Sequence, residues 1–157
     1  MRVARSLAIG LTLVIAASGC TTSEPTLKEA AAELQKDGHR LQEAFKNPLD
    51  KLHILQGADK DVPCDKDKFK RVLRATADYE RTDEPLTDHL ERAQTLMENR
   101  LARELGYKLE FDLSQDGAED GRFIYGTKEA LGIKVTVYVA PEAPTWRLHA
   151  TTPCLPR

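Results

Sequence analysis

Chemistry in this chain would have to come from His39, His53, His89 and His149, from Cys20, Cys64 and Cys154, and from the 25 acidic residues. Serine-based hydrolysis finds no support. Past residue 20 the serines are Ser23 and Ser114, and neither stands in the Gly-x-Ser-x-Gly turn that exposes a nucleophile. The histidines are scattered, with no His-Glu-x-x-His or Cys-His spacing that would hold zinc. His89, between Asp88 and Glu91, reads as part of a solvated helix face, and His149 falls opposite the apolar side of its strand. One constellation has ligand spacing: Asp112, Ser114 and Asp116 put oxygens at every second position before Gly117, as a calcium loop does. The twelfth position of such a loop is Phe123, where a bidentate Glu is required, and the flanks read as strands rather than helices. A solvated hairpin turn is therefore expected there, with calcium at Asp112, Ser114 and Asp116 as the alternative. Gly57, Gly106, Gly117, Gly121, Gly126 and Gly132 fall in connections, and no Gly-rich phosphate-cradling loop is present. No catalytic residue and no cofactor is assigned.

Whatever these groups do, the elements between them must position them. Thr26-x-x-Glu29 is a capping box, and Leu27, Ala30, Ala31, Leu34, Leu41 and Phe45 recur at helical spacing up to Asn47-Pro48. Residues 48–63 read as a short helical turn followed by loop. Phe69, Leu73, Ala75, Ala77 and Tyr79 then alternate with polar residues as a half-buried strand, Arg71 falling on the apolar side at its edge. A second helix is predicted from Pro85, capped by Asp83 or Glu84, with Leu86, Leu90, Ala93, Met97, Leu101 and Leu105 as one stripe and Gly106 as its stop. Strands follow at Tyr107–Leu113, Arg122–Tyr125, Ile133–Val139 and Trp146–Thr152, with Tyr107, Leu109, Phe111 and Leu113 facing inward in the first. The order α-β-α-β-β-β-β makes an α+β domain, with an antiparallel sheet of about five strands and both helices on one face.

The N-terminus bears on location. Met1 to Arg5 is basic, Leu7 to Ala17 is apolar, and that run is shorter than the ~20 residues a spanning helix needs. The pattern is that of a secretory signal. It ends in Ala17-Ser18-Gly19-Cys20, which resembles the lipobox of bacterial lipoproteins, with Ala17 where Leu is commonest. That resemblance implies a signal peptide over residues 1–19, diacylglycerol on Cys20, a short polar tether over 20–25 and a single folded domain over 26–157. Two acyl chains suffice for stable anchoring. Without residues 1–19, which carry Arg2 and Arg5 and no acid, the formal charge falls from −2 to −4. That argues against a nucleic-acid binder, which needs clustered cations. A hydrophobic share of 41% with 31% charged residues fits a globular domain rather than disorder.

With Cys20 lipidated, Cys64 and Cys154 are an even pair in an oxidising compartment, so a disulfide is expected. It places the strand after Cys64 antiparallel to the last strand, as its neighbour. Its loss is expected to loosen the last strand around Trp146. The arrangement is loosely similar to small α+β envelope lipoproteins and to cystatin-like sheets. In size, in its cysteine pair and in the ending Thr-Pro-Cys, the chain resembles small extracytoplasmic lipoproteins of high-GC Gram-positive bacteria. The function expected is a lipid-anchored, extracytoplasmic, non-catalytic module, held to the cell membrane through Cys20 and binding an envelope protein or small ligand. The alternatives are an envelope hydrolase using carboxylates and a secreted-type enzyme inhibitor.

Overall fold

The computed structural model of the chain describes residues 24–45, 52–111 and 120–157. Helix α1 (Leu27–Ala44) starts as its first residues require: the Thr26 hydroxyl accepts from the Glu29 amide, and the Glu29 carboxylate accepts from the Thr26 amide at 2.9 Å. Its buried stripe is Leu27, Ala30, Ala31, Leu34 and Leu41, with Asp37 and Gly38 filling the turn between the last two. Helix α2 (Leu86–Asn99) is shorter than expected, and Arg100–Glu104 continue it in a wider π winding. The spacing explains this. From Ala93 the stripe advances by four residues each time, to Met97, Leu101 and Leu105, which overruns a turn of about 3.6 residues. The wider i→i+5 winding absorbs that drift and keeps Leu101 and Leu105 buried. The cap position falls to Pro85, without a side-chain cap, so neither Asp83 nor Glu84 serves there.

Among the described residues nine strands form two sheets, so their number and the element order differ from the expectation, although the α+β class holds. The stretch read as helical turn and loop contains β1 (His53–Gln56) and the start of β2 (Val62–Asp65). The single strand expected from Phe69 is divided into β3 (Lys68–Lys70) and β4 (Val72–Ala77). Arg71 is the break. Its amide donates to Thr152 Oγ1 at 2.9 Å, while its guanidinium leaves the sheet for Asp61 at 2.6 Å and the Ala58 carbonyl at 3.0 Å. After α2 come β5 (Lys108–Glu110), β6 (Arg122–Lys128), β7 (Ile133–Val139), β8 (Trp146–Thr151) and β9 (Leu155–Pro156). Phe111 lies beyond β5 and is exposed rather than inward. The large sheet has the order β1-β4-β8-β7-β6-β5, antiparallel throughout. One core cluster joins Leu34 and Leu41 of α1, Leu90 and Met97 of α2, and the inward residues Leu73, Ala75, Ile124, Val137, Trp146 and Leu148 of the sheet. The Trp146 indole donates to the Ala93 carbonyl of α2 at 3.0 Å.

The small sheet, β2-β3-β9, is closed by the bond between Cys64 and Cys154, whose Cα atoms are 6.0 Å apart. Strands β4 and β8 do run antiparallel side by side, from Val72 opposite Thr151 to Ala77 opposite Trp146. The disulfide end of β8 is therefore the Thr151 end. Trp146 stands at the other, so the expectation that breaking the bond first loosens Trp146 is corrected.

Candidate functional site

Residues directly opposite each other in an antiparallel ladder share a face. The register therefore assembles the solvent side of the large sheet row by row. One row runs Phe123, Tyr138, Arg147, Thr76 and His53, from β6 to β1. The next runs Glu110, Tyr125, Thr136, His149, Arg74 and Gln56, from β5 to β1. Three aromatic rings sit together at one end of these rows. Phe123 packs 4.8 Å from Tyr138, centroid to centroid, and stacks nearly parallel to Tyr125 at 6.0 Å. The Arg147 guanidinium lies 5.6 Å from the Tyr138 ring and extends the strip toward β4. Phe123 is 44% exposed and Tyr125 38%, so part of each ring faces water.

Backbone and charge hold this strip in place. The Tyr138 hydroxyl donates to the Asp120 carbonyl at 2.6 Å, and its ring lies against Gly121. Gly121 has φ 112°, and a Cβ there would run into the Tyr138 ring, so the turn needs glycine on both counts. Beside the rings the face carries Arg147, Arg74, Lys134 and Lys108, against the acid Glu110 at its edge. His149 is exposed, as its position in the strand implied. Partial burial, then the charges of Arg74 and Lys70, push its pKa below the ordinary imidazole value, which favours the neutral ring.

Two further polar clusters lie inside the molecule. In the first, Asp37 is 1% exposed and accepts from Lys128 Nζ at 2.7 Å and from the Tyr107 hydroxyl at 2.8 Å. Lys128 also donates to Glu33 at 2.7 Å. Burial pushes the Asp37 carboxyl above its ordinary range, opposed by Lys128 and Tyr107, whereas the Lys128 hydrogen bond holds Glu33 below it. A lysine shared between two carboxylates is a structural clamp rather than a nucleophile. In the second, His89 is buried, not solvated as its neighbours suggested. Its ring lies 5.4 Å from Tyr79 and its Nδ1 is 3.6 Å from Glu84, which also meets Arg92 at 2.6 Å. A histidine–carboxylate pair can activate a nucleophile. Here the Glu84 carboxylate is shared between His89 and Arg92, which ties the pair into a charged network. A cavity of about 340 Å³ beside α1 is lined by Gln35, His39, Gln42, Ile54, Asp59 and Leu73.

Cys64 and Cys154 are brought together as expected. Cys20 and the calcium candidates Asp112, Ser114 and Asp116 lie outside the described residues. Among the described residues no group of three or more His, Cys, Asp or Glu side chains is placed to hold a metal ion. Among them, too, no helix is long and apolar enough to cross a membrane. Phe123, Tyr125 and Tyr138 were not singled out by sequence reasoning. The available signal is aromatics at alternate positions of β6, Phe123 and Tyr125, with Tyr138 on the next strand, in antiphase with Ile124 and Val137. No protein-family model matches the chain, and neither does any curated protein or solved structure.

Proposed function

We propose that this protein is an extracytoplasmic lipoprotein, anchored through diacylglycerol on Cys20, whose folded domain is a non-catalytic binding module. The observation that carries the binding reading is the aromatic strip Tyr125–Phe123–Tyr138 running into Arg147 on an exposed sheet face. Exposed aromatic rings lower their free energy when a partner removes them from water. The Cys64–Cys154 bond fits an oxidising compartment outside the cytoplasm. The lipobox-like Ala17-Ser18-Gly19-Cys20 supports the anchor.

Two measurements test this. Intact mass of membrane-extracted protein should show diacylglycerol on an N-terminal Cys20, and Cys20→Ser should leave the chain unprocessed or release it; an unmodified chain starting elsewhere refutes the anchor. For the face, tetranitromethane should nitrate Tyr125 and Tyr138 less in isolated envelopes than in the purified protein. Equal nitration in both would show that nothing covers the strip where the protein works.

A further inference from the structure

We infer that the ligand of this sheet face is an acidic glycan, a chain of sugar rings carrying carboxylates; this rests on the binding reading above and adds its chemistry. Two features of the face act on different parts of such a ligand. The exposed parts of the Phe123 and Tyr125 rings offer an apolar, electron-rich surface to the polarised C–H groups of a sugar ring. Arg147 on β8 stands beside the Tyr138 ring; Arg74 lies opposite His149, one row along and one strand further on β4, and Lys134 lies two rows from Tyr138 on β7. Arginine binds a planar carboxylate through two parallel N–H groups, which fixes orientation as well as charge. Along the ladder from β6 to β4, rings and guanidinium groups span three strand spacings, on the order of 14 Å. That suits a short stretch of polymer rather than one small ion.

Charge complementarity selects this occupant over two others. The cations gather on one face of a chain whose formal charge is −2, so they concentrate attraction locally. A long polyphosphate is recognised through many phosphate contacts and has no apolar ring face to set against Phe123 and Tyr125. An anionic lipid surface would use cations spread over a broad plane, whereas here Glu110 closes the β5 edge and Glu129 holds Lys108 at 2.7 Å.

The experiment uses the full chain purified in detergent, with polygalacturonate as the probe and its methyl-esterified form as the same polymer with its charge masked. Affinity electrophoresis should show retardation by polygalacturonate and little by the ester. Arg147→Gln and Arg74→Gln should each weaken binding about tenfold, the loss of one charge-assisted contact. Phe123→Ala should weaken it about three- to tenfold. Lys36→Gln, which removes the same charge from an exposed site on α1, should change nothing, and unaltered Trp146 fluorescence should show that each variant is folded. Equal binding of both polymer forms, or binding indifferent to all three substitutions, overturns the inference. So does tighter binding of oligo-dT or of anionic phospholipid vesicles through the same residues, and so does no binding at all. Nitration protection in envelopes with no polyuronate binding would overturn the ligand class alone and leave the binding reading standing.

Discussion

Lys128→Met removes the ammonium from between Asp37 and Glu33 and leaves a carboxylate that is 1% exposed with the Tyr107 hydroxyl as its remaining neighbour. Breaking one side of a buried ion pair costs about 3–5 kcal/mol, because the other charge stays desolvated. Glu33, partly exposed, recovers its hydration and adds little. Against a domain stability of about 5–15 kcal/mol the loss at pH 7.5 is large. It is also pH-dependent, with a definite sign. Burial raises Asp37 above its unfolded value, so the folded chain binds a proton more readily there, and this contribution to stability grows as pH falls through the folded pKa. Glu33 is lowered, chiefly by the Lys128 hydrogen bond, so its contribution is present above its unfolded pKa and is lost as pH falls through its folded one. In the parent protein the two oppose each other. In Lys128→Met the Glu33 contribution disappears and that of Asp37 grows, so the deficit should shrink on acidification just above the ordinary carboxylate range. Urea unfolding of parent and variant at pH 7.5 and pH 5 reads this directly. A deficit under about 1 kcal/mol at neutral pH, or one equal at both pH values, would refute the reasoning.

Tyr107→Phe should cost about 1.5–3 kcal/mol, the value of a hydrogen bond to a charged group, and less in an Asp37→Asn background; additive losses in the double variant would contradict the pairing. Cys154→Ser opens a link between residues 90 apart and should lower stability by about 2–5 kcal/mol. Hydrogen exchange should rise first at Phe69, which pairs with Leu155, while Trp146 fluorescence stays constant until global unfolding. Gly126→Ala would set a Cβ 3.0 Å from Leu109 and 3.1 Å from Val135, and thermal unfolding should report a loss of about 1–3 kcal/mol from overpacking.

Much of the scaffold is written locally. The Thr26–Glu29 capping box, the stripe from Leu86 to Leu105 and the alternation Ile133–Val139 are short-range patterns, and the corresponding elements form where the patterns lie. The cysteine pair carried long-range information, because a disulfide requires its ends to meet, and β4 does lie antiparallel beside β8. Other features depend on register and packing, which no window of sequence contains. β1 and β2 are short and half-exposed, and they exist as strands because β4 and β3 lie alongside to pair with them. Asp37 stands within the buried stripe of α1, and what it does there depends on Lys128 and Tyr107, 91 and 70 residues away. Arg122 and Phe123 show the same limit most plainly. Polarity alone would turn Arg122 outward and Phe123 inward. Pairing Ile124 with Val137 fixes the opposite parity, buries Arg122 against Gln94 at 2.9 Å and sets the aromatic strip in water.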